Sequence, residues 1–557
     1  MVQEFCKERV LSVAQELSQF NGGLTREILR EMGELGLVAV EMPESYGGLE
    51  LDKVSTLISA EGLMASGSAS LSTTFLDHTG IGTLPIVWYG TQAQQQKYLP
   101  KMATGEWISS FALTEADAGS DVTAAKCTAV LNKEGTHYIL NGTKIYVTNG
   151  SWADLCITFA KVNGKQYTAF ILDKECKGWV VGPEENKMGI KGSSTCTFFL
   201  ENCLVPVENI LGEVGKGTAI ALNVLYPGRY KLGAVTMGGS KFAVNLAVNF
   251  ALERIQFARP IAEFGMIKRK LADMVVRSWT ADTMIYMVGG MLDEALALIP
   301  SDAPEYRIAL PRIIEDHGIE ASLAKIVGSE SLAANVDDAV QIYGGAGFIE
   351  DYPVAGMYRD ERINRIFEGT NEINRLLIGG TLLKKALLEE LPLRTMILQR
   401  RDTWIPIDLD LDALSLPDEA RVVEWSRSAL MHILNELILA YGQDLKNEQW
   451  AIEPLADIVI ALANMDVGYK RYLGLLEFPN KQSLTEPVLR CVIAQNFQDI
   501  LNNLSRLQGL LYSGKDLVSQ SKLLNKRIQE LEYYPQTIHW QQKIAAQLIQ
   551  FKQYYLD

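Results

Sequence analysis

The sequence contains no uncharged apolar run of about 18 residues, the length a bilayer-spanning helix needs, so no membrane span is expected. It has no CxxC pair. Its seven cysteines (Cys6, Cys127, Cys156, Cys176, Cys196, Cys203 and Cys491) are scattered, and its five histidines are equally dispersed. That spacing offers neither a disulfide framework nor a zinc-ligand cluster, so no metal is expected. The cysteines read as small buried hydrophobes, which suits a reducing compartment. Runs of Lys and Arg are missing too. With a formal charge of −15, the chain is not steered onto nucleic acid or anionic lipid. No internal repeat or low-complexity segment is found. Glu4, Lys7, Glu8 and Arg9 interrupt any signal-peptide core. The chain begins in a helical pattern, so the expectation is that little or nothing precedes the first domain.

What is present is an ordinary globular composition, 48% apolar and 21% charged. At 557 residues the chain has room for about three to four domains. Helical windows come first, including Thr25–Leu35 with Thr25 as a cap, Leu51–Ala65 and Ala93–Met102. The period changes near Ile108. Short alternating runs then follow, divided by Asn141–Gly142, Asn149–Gly150 and Asn163–Gly164, and predict about six or seven strands. Helical windows return from Gly217 to about Leu387. The stretch Arg394–Ala420 reads as a linker or strap, and helices resume to the end. Helices, then strands, then helices is an α+β or multidomain order, not an alternating βαβ chain.

Five stretches carry candidate chemistry. In RDERINRIFEGTNEINR (Arg359–Arg375) a helix is expected to end at Phe367 and another to begin after Glu368, Gly369 and Thr370, with Ile373, Leu376 and Leu377 as its buried stripe. Glu368 is then either a carboxylate reaching into an apolar pocket or simply an acid at a helix start. FALTEADAGSD (Phe111–Asp121) is rich in small residues that let backbone N–H groups approach a flavin ring or a phosphate; a capped turn reads the same way. In LNGTKIYVTNG (Leu140–Gly150), Tyr146 and Thr148 are two apart on a strand and so share a face. They form either a cofactor wall or a surface hairpin. QIYGGAGFIEDYPV (Gln341–Val354) follows a helix, which fails the strand-first context of a dinucleotide fingerprint. A glycine C-cap and a backbone lying against a ring both remain open. ALERIQFARPI (Ala251–Ile261) offers Arg254, Arg259 and Phe257, suited to a pyrophosphate or else merely solvated.

Together with KMGIKGSSTCTFFLENCLVP (Lys187–Pro206), these stretches resemble the acyl-CoA dehydrogenase family over about residues 1 to 390, in the family's order and spacing. The resemblance implies an N-terminal helical domain (1–108), a middle β-barrel-like domain (109–215) and a C-terminal four-helix bundle (216–390). A linker (391–420) and an extra C-terminal helical domain (421–557) follow. It implies FAD, contacted by Phe111, Leu113, Thr114, Gly119, Ser120, Tyr146, Thr148, Gln341, Gly344, Gly345, Thr370 and Glu372, with Arg254, Gln256 and Phe257 reaching the FAD of a neighbouring subunit. Many relatives carry Trp where Tyr146 stands, and some carry Gln where Glu372 stands. Ser120, Arg229, Glu368 and Gly369 would meet the substrate. Glu368 matches the catalytic base. Some branches place that base just before the arginine corresponding to Arg229; here Gly228 fills that slot.

The implied reaction removes an α proton from a fatty acyl-CoA thioester to Glu368 while a hydride leaves the β carbon for the flavin. A pocket that raises the basicity of Glu368, and hydrogen bonds to the thioester carbonyl, would make that proton accessible. The C-terminal extension, PGRYKLG and GPEENKMGIK resemble the very-long-chain branch. That branch implies a homodimer, an electron-transfer flavoprotein as acceptor, and a peripheral membrane contact that the acidic balance supports little. The compartment is then cytoplasmic, or the mitochondrial matrix in a eukaryote. An acyl-CoA oxidase and an assembly scaffold for a respiratory complex are the alternatives on the same fold. A DNA-associated flavoprotein is more remote, with no basic groove to support it.

Overall fold

Asn21, Asp52, Ser68 and Thr91 each start a helix in the N-terminal region. Their side-chain oxygens accept from the backbone N–H of Leu24 (3.1 Å), Ser55 (2.7 Å), Leu71 (3.3 Å) and Gln94 (3.2 Å), donors that a first helical turn leaves free. The computed structural model describes residues 1–300, 306–400, 404–405 and 414–556. In it these helices run Gly22–Glu34, Lys53–Leu63, Ala69–Asp77 and Gln92–Ala103. Thr25 is not the expected cap. Asn21 takes that role, and Thr25 is buried inside the helix with its hydroxyl on the Asn21 carbonyl at 3.1 Å. Ile28, Leu29, Met32, Leu63, Leu71 and Phe75 pack into one core.

Strands follow as the period drops to two: β1 (Ser109–Ala112), β2 (Thr128–Leu131), β3 (His137–Thr148), β4 (Leu155–Val162), β5 (Gln166–Asp173), β6 (Trp179–Glu184), β7 (Thr195–Pro206) and β8 (Ile210–Leu211). They form an eight-stranded sheet in the order β6-β7-β3-β2-β4-β5-β8, with β1 parallel to β4. Side chains from distant strands, among them Leu140, Phe198, Cys156 and Phe170, share one core, so the sheet wraps on itself in a barrel-like way. Asn163–Gly164 reverses the chain between β4 and β5 with both φ angles positive. Asn141–Gly142 does not reverse it. β3 runs through that pair as a bulge against β7, and a Cβ on Gly142 would lie 2.2 Å from the Cys127 sulfur. Here glycine permits a close strand approach rather than a turn.

Four long helices return the chain to a 3.6 period: Gly217–Glu253, Gly265–Leu296, Gly318–Tyr343 and Asn371–Leu387. The first passes through Pro227 unbroken. The extension contributes Leu393–Gln399, Pro417–Tyr441, Gln449–Gly474, Pro479–Leu511, Gly514–Leu531 and Thr537–Phe551. Leu393–Gln399 is helical within the stretch expected as linker; residues 401–403 and 406–413 of that stretch lie outside the described residues.

The chain divides into two compact units. The first comprises Met1–Phe242, Val288–His317 and Ala355–Glu368; the second comprises Ala243–Met287, Gly318–Val354 and Gly369–Asp557. Within the second unit the extension is bonded to the helices it covers. Arg375 bridges Glu330 (2.8 Å) and Asp457 (2.7 Å), and Gln541 donates to Asp273 at 2.7 Å. Among the described residues no helix is long and apolar enough to cross a membrane, and no cluster of three or more His, Cys, Asp or Glu could hold a metal.

Candidate active site

In the first unit the helical path ends at Arg365, two residues before the expected stop at Phe367. Glu368 then adopts φ +58°. A non-glycine residue held there carries roughly 1–3 kcal/mol of strain, so its surroundings must fix it. Arg229 does part of this: its Nε donates to the Glu368 carbonyl at 3.2 Å. Arg229 is only 4% exposed and lies 5.0 Å over the Tyr226 ring. Burial lowers its pKa, which Tyr226 and Glu368 oppose, and a guanidinium stays charged under such conditions. Gly228 does the rest. A Cβ built on it would lie 2.4 Å from Glu368 Oε2 and 2.7 Å from the carboxyl carbon. Asp77, at the end of its helix, is 5% exposed, and its Oδ2 has no hydrogen-bond partner among the described residues. Burial pushes its pKa well up, and the charge of Glu368 adds to this.

In the second unit the residues after Glu368 are pinned by amides and one buried cation. Lys325 Nζ donates to the Gly369 carbonyl (2.9 Å) and to Asn371 Oδ1 (2.6 Å). Asn374 Nδ2 donates to the carbonyls of Gly369 (2.9 Å) and Thr370 (3.0 Å). Thr370 caps Asn371–Leu387 by accepting from Ile373 N at 3.2 Å. Exposed Glu372 is held below the usual carboxylate range by its own backbone N–H and the Thr370 hydroxyl. The buried side of this helix is therefore Asn371, Asn374 and Ile378; Ile373, Leu376 and Leu377, expected as the stripe, are only half-buried. The turn needs amide donors at its base, and that need overrides the apolar pattern. Sequence reasoning passed over Lys325, Asn371, Asn374 and Asp77. One signal was available: Lys325 is the lone cation in the Gly318–Tyr343 helix.

The Phe111–Asp121 stretch also lies in the first unit. Phe111 is buried in β1, edge-on to Phe159 at 5.2 Å. The Leu113 carbonyl accepts from Lys144 Nζ (3.1 Å) and that of Thr114 from Ile145 N (2.9 Å). Glu115 pairs with fully buried Lys144 at 2.7 Å; burial would raise its pKa, but Lys144 holds it below the usual range. Gly119 and Ser120 are exposed beyond this anchor. Plain alternation would put Lys144, Tyr146 and Thr148 on one face. A bulge between Lys144 and Val147, with Tyr146 at φ +58°, changes the phase. Lys144 and Val147 turn inward, while Tyr146 is 64% exposed and Thr148 half-buried. The Lys187–Pro206 stretch meets the Glu368 segment through Ile190 N, which donates to Asp360.

In the second unit Arg254, Gln256 and Phe257 are all exposed. Ile255–Gln256 pairs with Arg259–Pro260, and the reversal places Phe257 and Ala258 at positive φ. Phe257 at its tip is 88% exposed. Gln341 is on the last turn of Gly318–Tyr343, which Gly344 ends at φ +60°. Gly344 and Gly345 face open space.

Three family models match in sequence order: Acyl-CoA dehydrogenase, N-terminal domain, over residues 1–106; the middle domain over 110–203; and the C-terminal domain over 215–383. A probable acyl-CoA dehydrogenase of Bacillus subtilis is 42% identical over 82% of this chain and 77% of its own. The very long-chain specific acyl-CoA dehydrogenase of Rattus norvegicus mitochondria is 34% identical over 84% of this chain and 74% of its own. The crystal structure of an acyl-CoA dehydrogenase from Bacillus anthracis, complexed with FAD, superposes with a TM-score of 0.95 at 37% identity, covering 100% of this chain and 94% of that one. The chain belongs to the acyl-CoA dehydrogenase family, and it is an oxidoreductase acting on acyl-CoA.

Proposed function

We propose that this protein catalyses the FAD-dependent α,β-dehydrogenation of long-chain fatty acyl-CoA to trans-2-enoyl-CoA, with Glu368 as base. The observation that carries the reading is the Glu368 carboxylate, presented from a left-handed turn against bare Gly228 and anchored through its carbonyl by buried Arg229. A base must meet a carbon-bound proton within about 3–3.5 Å, and a fixed turn supplies that orientation. Glu368 takes the α proton. FAD, when bound, supplies the acceptor for the hydride from the β carbon. Arg229, Ser120 and the backbone of Glu368 and Gly369 orient the thioester.

The residues present suit FAD. Gly119, Gly344 and Gly345 have nothing within 4 Å of where a Cβ would stand, which leaves room for a ring or a phosphate to approach the backbone. Tyr146 and Phe257 are largely exposed aromatic side chains. Phe111, Leu113, Thr114, Gly119, Ser120, Tyr146, Thr148, Gln341, Gly344, Gly345, Thr370 and Glu372 are the residues proposed to contact FAD. Arg254, Gln256 and Phe257 would reach the FAD of a second copy, which fits a homodimer. An electron-transfer flavoprotein is the proposed acceptor; rapid oxygen consumption with substrate would instead identify an oxidase.

Anaerobic titration of the flavin-loaded protein with palmitoyl-CoA tests the reading. Bleaching of the visible flavin bands is expected, and Glu368→Gln should keep the flavin yet lose about 10²–10⁴-fold in reduction rate. A flavin that no acyl-CoA bleaches, from butyryl upward, would overturn it.

A further inference from the structure

In the second unit a continuous line of hydrogen bonds joins the C-terminal extension to the turn that follows the proposed base. It starts at Asp457 in the extension helix Gln449–Gly474, whose Oδ1 accepts from Arg375 Nε at 2.7 Å. The other two guanidinium nitrogens of Arg375 fork onto Glu330, at 2.8 and 3.1 Å. Glu330 Oε1 also accepts from Asn371 Nδ2 at 2.9 Å. That bond turns the amide so that Asn371 Oδ1 accepts from Lys325 Nζ at 2.6 Å, and Lys325 Nζ donates in turn to the Gly369 carbonyl at 2.9 Å. Each link has a charged member, and such hydrogen bonds are roughly twice as strong as neutral ones. The inner end is enclosed: Lys325 is fully buried and Asn371 nearly so. Glu330 is the loose link, with its side chain 41% exposed. A carboxylate so exposed swings into water unless its partner is fixed. Arg375 is that partner, and a planar fork engaged on both edges does not rotate. Glu330 takes one edge and Asp457 the other. The backbone that presents Asp457 is itself locked onto the Arg375 helix: a Cβ on Gly379 would lie 2.7 Å from Ile452 Cγ2.

We propose that Asp457 is a positioning residue for the reaction, and that the extension braces the Gly369–Thr370 turn through Arg375, Glu330, Asn371 and Lys325. This rests on the reading of Glu368 given above, since Gly369 is the residue that follows it. Without Asp457, Arg375 Nε loses its acceptor, Glu330 is released toward water, and the Asn371 amide is free to turn away from Lys325. Asn374 still holds the carbonyls of Gly369 and Thr370, so the turn loosens without collapsing. Substrate still binds, but the base is aligned with the carbon-bound proton less of the time. The effect therefore falls on kcat and not on KM.

Asp457→Ala and Asp466→Ala, compared in the flavin-loaded protein, test this. Asp466 lies on the same helix, is 23% exposed like Asp457, and pairs with Arg427 and Lys470 inside the extension at 2.9 Å each. Both variants remove an ion pair from the extension, and only the first touches the line to Gly369. The first readout is amide hydrogen exchange over Gly369–Asn374 without substrate. Asp457→Ala is expected to speed it about tenfold, and Asp466→Ala less than about twofold. The second is turnover of palmitoyl-CoA. Asp457→Ala is expected to lose about tenfold in kcat with KM within about twofold of wild type, and Asp466→Ala to keep both. Exchange that rises equally in the two variants, or in neither, overturns the proposal. So does a kcat loss that Asp466→Ala shares, or a change confined to KM. Because the exchange measurement needs no acyl-CoA, the brace is decided there even if no acyl-CoA reduces the flavin, the result that would sink the dehydrogenase reading.

Discussion

The Glu368 carboxylate rests against the Cα of Gly228 so closely that a Cβ on residue 228 would lie 2.4 Å from its Oε2. Residue 228 therefore has to be bare for a base to project from residue 368. Gly228→Ala should retain flavin, since the three atoms nearest its methyl all belong to the Glu368 carboxylate. The methyl must push Glu368 aside, and a displacement on the order of 1 Å costs roughly 10²-fold in rate. Stopped-flow flavin reduction in the variant checks this; a rate within threefold of wild type would show that Glu368 is not held there.

Lys325 should matter to both stability and turnover. Replacing it with Met removes the cation from the Gly369 carbonyl and Asn371 Oδ1 in a fully buried setting. Loss of such bonds costs about 1–3 kcal/mol. Urea unfolding should show a lower midpoint. Since Gly369 directly follows Glu368, kcat is expected to fall more than KM rises.

The Glu115–Lys144 pair should decide whether the Phe111–Asp121 loop keeps its shape. Lys144→Met strands a buried carboxylate, a loss on the order of 3–5 kcal/mol. The melting temperature should drop, and flavin should be lost more readily on gel filtration. Adding Glu115→Gln should recover part of both, because the uncompensated charge is then gone. No recovery would mean the lysine acts by packing alone.

His78 gives the first unit a pH-dependent stability. It is fully buried, with Nε2 at 3.1 Å from the Met102 carbonyl and Nδ1 accepting from Ser109 N at 3.2 Å. That geometry fits the neutral ring, and burial lowers the pKa from 6.5 to about 4. The folded-state value is depressed, so the unfolded chain binds the proton first as pH falls. Stability is full above about pH 6.5 and declines toward pH 4, by on the order of 2–3 kcal/mol. Urea unfolding at pH 7 and pH 5 should show the decline, and His78→Asn should flatten it.

The order of elements was legible in the sequence because it depends on local periodicity. The N-terminal helices, the strand-rich middle, the returning helices and the helical extension all follow from apolar spacing and turn residues. The Glu368 break, the Phe111–Asp121 loop and the Ala251–Ile261 stretch were legible as motifs for the same reason, each being contiguous in the chain, although the hairpin that carries Phe257 was not expected. Local signals failed where another contact, near or far in sequence, took precedence. Asn141–Gly142 has the composition of a hairpin turn, yet Cys127 and β7 make it a bulge. Thr25 has the chemistry of a cap, but Asn21 reached the free N–H groups first. Ile373, Leu376 and Leu377 carry the apolar spacing, but the carbonyls of Gly369 and Thr370 drew Asn374 inward. Only the tertiary structure could bring Gly228 and Arg229 to Glu368. That pair is far from Glu368 along the chain, and a buried charge is defined by what encloses it, which no single stretch of sequence contains.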